Sequence, residues 1–391
     1  MTQSKHSLRL VALTSAAALG MGALIAAPAQ AATGPKDYTC TLSLLGAQTF
    51  SVDTDTDAPA SVYLGQSFTP TITSKVTLPA ELVDAMRNAG IGKIDGTADA
   101  DSYKNGVKET AKLSFARTDV PAAVGSSMVI EAKGAATAAT PTATGAYTLG
   151  SGNFNTTLKL YNADGTPYVL PQETATCTSD GVPHLADTVD VKAAVASTTT
   201  LAVEPASAAY GAAVKATATV KSAVAELKPA GSVDFKVGDT TVKGTVDANG
   251  VATADIPFQA VGTHAITASY TSTTGGLTNS VSAPANLTVV KDDTTATAKA
   301  SVKKKAKKVV IKVKVKSANG QTPDGKVKLV VKKGKKKVLK KAVTVNKKGV
   351  AKLVIKGKKF KKMKKGKYKV NANYTGSSNF NKSKAKAKFK I

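Results

Sequence analysis

Two stretches of this chain, about 100 residues apart, carry one pattern of turn residues and alternating apolar side chains. "PAGSVDFKVG" (Pro229–Gly238) aligns with "PDGKVKLVVK" (Pro323–Lys332), "NGVATADI" (Asn249–Ile256) with "KGVAKLVI" (Lys348–Ile355), and "GTHAITASYT" (Gly262–Thr271) with "GKYKVNANYT" (Gly366–Thr375). The offsets are 94, 99 and 104 residues and the order is kept, so small loop insertions account for the drift. Within each copy the alternation has the period of a strand, which sends successive side chains to opposite faces of a sheet. In "KKKAKKVVIKVKVK" (Lys303–Lys316) the first six residues are a charge block, but from Val309 apolar residues alternate with lysines. The valines would line the inside of a sheet and the lysines its outside. In the last copy strands are expected at 295–301, 309–316, 326–331, 337–345, 350–355, 367–374 and 384–391. Turn signals separate them at Asn319-Gly320, Asp324-Gly325, Gly334, Gly349, Gly366 and Gly376. About seven short strands in about 100 residues point to an antiparallel sandwich.

Three segments are expected after an amino-terminal leader: 33–190, 196–290 and 294–391. The joins "DTVDVKAAVAS" and "VVKDDTTAT" are short and polar, as linkers tend to be. The first segment opens "YTCTLSLLGAQTFSV" and closes "ETATCTS", with hairpin signals at Asn105-Gly106 and Asp164-Gly165. One helix is expected in "TLPAELVDAMRNAG". Pro79 suits its first turn, Glu81 sits near its positive end, Leu82, Val83 and Met86 share a face, and Gly90 can end it. The chain has two cysteines, Cys40 and Cys177, near the two ends of this segment. In an exported chain a disulfide between them is the default; a catalytic or metal-binding thiol has no CxxC or neighbouring histidine to support it. The predicted fold class is mostly β: a disulfide-closed N-terminal β domain with one short helix, then two sandwiches in tandem.

The pattern Pro-x-Gly-x-Val-x-Phe, then Gly-x-Ala, then Gly-x-x-x-Ile/Val-x-Ala-x-Tyr resembles bacterial Ig-like repeat domains of secreted surface proteins. Both copies carry it, and "GSSNF" after Tyr374 resembles the Tyr-x-Gly-Asp-x-x-Phe/Tyr ending of those repeats. The earlier copy departs there, reading "TSTTGGLTN", so its last hairpin is expected to differ. The resemblance implies two Ig-like sandwiches that act as spacers, stalks or surface-binding modules, without catalytic residues. The Tyr-x-Cys opening and Cys-Thr ending of 33–190 resemble an uncharacterised domain family of secreted actinobacterial proteins, often found ahead of Ig-like repeats.

The leader sets the expected compartment. Lys5 and Arg9 form a positive region, Leu10–Ala27 is apolar, and Ala29 and Ala31 supply a small-x-small cleavage site. Residues 1–31 therefore read as a signal peptide rather than a membrane anchor. No lipobox cysteine and no second apolar run of spanning length follows, and the end "KAKAKFKI" has no sorting motif. The expected product is secreted, soluble or held non-covalently at the cell wall.

Charge is the most informative functional feature. The chain carries a net +28, but residues 293–391 hold 35 lysines against two acids, Asp293 and Asp324, a net of +33. The rest of the chain is mildly acidic, at −5. Lysine ammoniums are mobile point charges, suited to diffuse attraction rather than to a fixed geometry. Three blocks are the candidate polyanion-binding residues: Lys303, Lys304, Lys305, Lys307 and Lys308; Lys332, Lys333, Lys335, Lys336 and Lys337; and Lys358, Lys359, Lys361, Lys362, Lys364 and Lys365. The expected partner is an anionic cell-wall polymer or an acidic polysaccharide, bound with strong salt dependence. The competing reading is that outward lysines only keep the sheets soluble and guard their edges. Specific nucleic-acid recognition is not expected. Aromatics are 5% of the chain, and Phe360, Tyr368, Tyr374 and Phe380 fit core positions.

Motifs for catalysis are missing. The chain has no GxSxG and no HExxH, and its histidines are His6, His184 and His264. No cofactor signature is present, and a non-enzymatic protein is expected. The alternative is an extracellular enzyme or inhibitor with its active face in 33–190. A cleft of converging carboxylates, or a hydroxyl beside His184, would favour it. One weak metal candidate is "SVDTDTDAP", where Asp53, Asp55 and Asp57 imitate the start of a calcium loop; Ala58 and Leu64 then break its consensus.

Overall fold

The structure is a computed structural model that describes residues 34–43 and 45–391; the expected signal peptide lies outside them. Two compact units divide the chain, the first running up to Val62 and from Ser67 to Lys192, the second comprising Tyr63–Gln66 and Ala193–Ile391.

The first unit is an antiparallel sheet that closes on itself. Its ring runs Lys36–Leu42, Gly46–Thr56, Thr71–Leu78, Met128–Ala135, Val107–Asp119, Lys93–Lys104, Gly145–Tyr161 and Pro167–Thr178, and the last strand pairs with the first. Closure leaves the ring without a free edge. The strand Gly145–Tyr161 is 17 residues long and serves two partners. Its later half pairs with Pro167–Thr178, placing Phe154 opposite Cys177, and its earlier half pairs with His184–Lys192 outside the ring. The barrel is pinched where Val107–Asp119 meets Met128–Ala135, which share one register pair, Ser114 with Lys133. A Cβ at Gly134 would collide with the Lys112 carbonyl, so only glycine permits this approach.

Alternation in the sequence becomes the lining of this barrel. Tyr38, Phe50, Leu78, Ile94, Ile130 and Leu160 are buried in one core with both cysteines. The expected helix forms over Ala80–Asn88, with Pro79 as N-cap and Leu82, Val83 and Met86 buried against the same core. Gly90, at φ +84°, ends it in a conformation that favours glycine. Asn105 and Gly106 both take positive φ in a two-residue hairpin turn, as their sequence demands.

The disulfide Cys40–Cys177 forms. Its two residues face each other directly across the strands Lys36–Leu42 and Pro167–Thr178, so the bridge lies on the junction that closes the ring.

The second unit holds two sandwiches. In the first, a sheet of Ser197–Glu204, Lys215–Ser222 and Val251–Asp255 packs on a sheet ordered Ser207–Ala209, Ala285–Val290, Gly262–Ser272, Gly231–Val237 and Thr240–Thr245. In the second, Thr294–Lys303, Lys308–Ser317 and Val350–Ile355 pack on Lys336–Thr344, Lys326–Lys333, Lys367–Tyr374 and Ser383–Lys390. All seven strands expected in this last segment form within two residues of their expected limits. Val309, Ile311, Val313 and Val315 face Val327, Leu329, Val331 and Val370 in its core. Each such side chain contributes about 1.5–3 kcal/mol on burial.

The repeat extends to single hydrogen bonds. In one copy the Asp247 carboxylate accepts from the amides of Asn249 and Val251; in the other Asn346 accepts from Lys348 and Val350. The following glycines, Gly250 and Gly349, both take positive φ, and their carbonyls accept from Val220 and Val315, each at 2.8 Å. The last hairpins differ, as the sequences do. Ser280–Val281 forms a short strand on Gly262–Ser272, whereas Tyr374 pairs directly with Ser383.

Replacing both cysteines by serine removes a cross-link spanning 137 residues. The expected cost is about 2–5 kcal/mol, or a Tm lower by roughly 5–15 °C for a domain of this size. Calorimetry of the whole chain checks this; the change should fall on the transition of the first unit alone.

A lysine pole on the third segment as candidate functional site

The strand Thr294–Lys303 leads away from the join with the preceding sandwich, so the turn Lys304–Lys307 sits at the far end of the module. Val309 pairs with Ile355, which starts the crossover from Lys356 beside that turn. Lys332 pairs with Lys369, which brings the turn Lys333–Lys336 to the end of the same crossover. There the Lys333 ammonium donates to the Lys365 carbonyl at 2.6 Å. All three lysine blocks therefore meet at one pole. The module's two acids, Asp293 and Asp324, lie in the join and in the loop 318–325 at the opposite pole.

The crossover is pinned from within. A short helical turn, Lys358–Lys361, carries half-buried Phe360, and Met363 is buried in the core. The Tyr368 hydroxyl donates to the Lys364 carbonyl at 2.6 Å, and its ring stacks on Phe389 at 5.0 Å. Burial pushes the Tyr368 phenol pKa up. The apolar side chains of the crossover thus face the core, and the lysines face water. Of the sixteen candidate lysines only Lys308, Lys332 and Lys333 are half-buried; the rest are exposed.

Lysines also confront one another across strands. Lys332, Lys369 and Lys388 form one row, Lys299, Lys312 and Lys352 another, and Lys367 faces Lys390. Directly opposed residues stand about 4.5–5.5 Å apart at Cβ, where like charges destabilise the sheet. Among the described residues every ion pair lies upstream of this module.

Residues 37–187 match the profile of a "Family of unknown function (DUF6801)". Residues 201–290 and 294–391 each match "Bacterial Ig-like domain (group 3)". The chain is a DUF6801 domain followed by two group-3 Ig-like domains. A search of curated proteins found no match. Solved structures that align over most of the chain include a putative membrane anchored protein from Corynebacterium diphtheriae (16% identity, 91% of this chain and 96% of that one, TM-score 0.28). Another is a tetra-tandem repeat from the extending region of a large adhesion protein (14%, 92% of each chain, TM-score 0.33). A third is the Escherichia coli adhesin FdeC (15%, 93% and 99%, TM-score 0.22). Scores of this size carry no conclusion about this chain.

The DUF6801 domain places a hydroxyl beside His184, but with the wrong polarity for a nucleophile. The Ser179 hydroxyl spends its one hydrogen on the Asp37 carbonyl at 2.7 Å, so His184 Nε2, at 3.0 Å, donates to the serine rather than taking its proton. The ring packs edge-on against Tyr38, and burial pulls its pKa down. In the first Ig-like domain His264 Nε2 donates to the Ala260 carbonyl at 2.7 Å. At the helix-capped end of the barrel lies a cavity of about 160 Å³, lined by apolar residues such as Phe50, Leu82, Met86 and Leu160. Glu173 borders it and accepts from Ser43 Oγ at 2.7 Å.

The calcium-like aspartates line one groove, which they share with Lys75 and Lys133. Asp53 and Asp55 lie on the strand Gly46–Thr56, opposite Lys75 and Thr73, while Asp57 lies past its end and accepts from the Thr71 amide at 2.6 Å. Lys75 in turn faces Glu131, whose carboxyl is held below its usual range by the Lys133 ammonium at 2.6 Å. Their groove is one of mixed charge. Among the described residues no three histidine, cysteine or acidic side chains could hold a metal. Sequence reasoning missed Asp187, which is 1% exposed. Its carboxylate accepts from the Thr56 hydroxyl and the Thr188 amide, each at 2.8 Å. Burial pushes its pKa up, against those hydrogen bonds.

Two outcomes follow from these charges. Raised ionic strength screens like-charge repulsion, so going from roughly 10 mM to 500 mM salt should raise the Tm of the transition that includes the last Ig-like domain and leave that of the DUF6801 domain nearly unchanged. Asp187 carries a raised folded pKa, so its ionised form opposes folding, and this opposition fades as pH falls through that pKa. Asp187→Asn should therefore stabilise the first unit at pH 7 and lose its advantage toward pH 4, as read by thermal melts across pH.

Proposed function

We propose that this is a non-enzymatic, secreted, envelope-associated protein whose last Ig-like domain attaches electrostatically to an anionic polymer. The N-terminal domain is displayed for binding or adhesion, and the middle sandwich serves as spacer. The observation that supports this reading is the segregation of charge: three lysine blocks converge on one pole and the module's only two acids lie at the other. Solubility and edge protection need lysines spread over the sheet faces, and those are present too. They give no reason for turns and a crossover to concentrate sixteen more at one end.

The chemistry favours a flexible polyphosphate or acidic glycan outside the cell. Mobile ammoniums gain affinity by releasing the counterions condensed on such a polymer. With Phe360 and Met363 turned to the core, the pole offers no apolar side chain of the crossover for insertion into lipid.

The test is retention of the whole protein on phosphocellulose as salt is raised. Replacing Lys335, Lys336, Lys358, Lys359, Lys361 and Lys362 by glutamine should weaken binding at least tenfold near 0.1 M salt and flatten the plot of log affinity against log salt. Glutamine at six exposed lysines away from the pole, Lys316, Lys326, Lys347, Lys348, Lys382 and Lys384, should cost much less. Retention that ignores salt, or equal losses from both sets, would leave only the solubility reading.

A further inference from the structure

We infer that the two Ig-like domains are locked into one cooperative body, and that the buried carboxylate of Asp292 is the latch. This inference is independent of polymer binding. A join of three residues between Val290 and Thr294 would ordinarily let two domains swing. Here the join is itself paired. Asp292 bridges in parallel with Phe380, its amide donating to the Asn379 carbonyl at 3.0 Å and its carbonyl accepting from the Asn381 amide at 2.8 Å.

The Asp292 side chain, in a residue 1% exposed, then reaches across the loop that follows Lys308–Ser317. One carboxylate oxygen accepts from the Asn319 amide at 3.0 Å and the other from Asn319 Nδ2 at 3.2 Å. The same Nδ2 donates to the Tyr210 carbonyl of the preceding sandwich at 3.3 Å. Tyr210 packs edge-on against Phe380 at 5.4 Å, and Asn379 Oδ1 accepts from the Val261 amide at 3.3 Å. Gly211 sits so close to the Gln321 side chain that a Cβ there would collide with it.

The preceding join supplies a contrast within the same chain. Val195 makes the equivalent parallel bridge with Leu277, exchanging backbone hydrogen bonds with Gly276 and Thr278. The backbone clasp therefore recurs at the entrance to both sandwiches, but a carboxylate takes the place of the valine only where one sandwich meets the other. A buried carboxylate is costly unless its hydrogen bonds are met, and here Asn319 meets them while gripping the neighbouring domain.

Calorimetry and hydrogen exchange of the whole protein test this. The two Ig-like domains should melt in a single transition, and the amides of Asp292, Asn319 and Asn381 should exchange as slowly as the cores on either side. Asp292→Ala and, separately, Asn319→Ala should split that transition in two and release those amides by at least tenfold. Gly211→Ala attacks the contact from the other domain and should do the same. Two independent transitions in the unaltered protein would overturn the inference. So would a single transition that survives all three substitutions.

Discussion

The last Ig-like domain depends on an opposition between its two faces. Inside, rows of valine, isoleucine and leucine hold two sheets together; outside, lysines stand opposite lysines on neighbouring strands. The core fixes the backbone, and the backbone fixes the ammoniums at spacings they would not choose. Because the same strands serve both roles, the charge on the surface is only as ordered as the packing beneath it. In the crossover 356–366, Phe360 and Met363 tether a lysine-rich segment to the core.

The DUF6801 domain solves a different problem with different means. A sheet with exposed edges invites pairing with other chains, and the eight-strand ring of this one removes its edges by closing. The long strand Gly145–Tyr161 makes closure possible, because it can pair with the ring on one half and with His184–Lys192 on the other. The disulfide then reinforces the junction at which the chain's first ring strand meets its last. On the outside of this barrel Asp53 stands opposite Lys75, while Asp55 and Asp57 accept from the amides of Thr56 and Thr71.

Much of the fold was legible in the sequence. Period-two alternation marked the strands, because side chains must choose between core and water at every position. The Asn105-Gly106 turn and the helix over Ala80–Asn88 were legible for equally local reasons: positive φ suits Asn and Gly, and Leu82, Val83 and Met86 share one face. Barrel closure was not legible, since no local pattern says that a first strand will pair with a last. Nor was Asp187 marked as buried. Asp187 shares the parity of the buried Val189 and Val191, but an aspartate there reads as a break in the apolar face, and the Thr56 hydroxyl that it accepts from lies 131 residues away in sequence.

What the sequence determined alone was therefore local and compositional: a mostly β chain, about seven strands in its last module, a repeat, and an excess of lysine confined to one segment. Tertiary structure decided where that excess converges. Three blocks separated by 23 and 20 residues become neighbours only because successive strands run up and down between two ends, which puts alternate connections at the same end. It also decided that Asp292, one acid of an unremarkable "KDD", is buried against Asn319 beneath the preceding domain. Hydrogen-bond partners brought together across large sequence separations leave no signature in either neighbourhood; they exist once the sheets have packed.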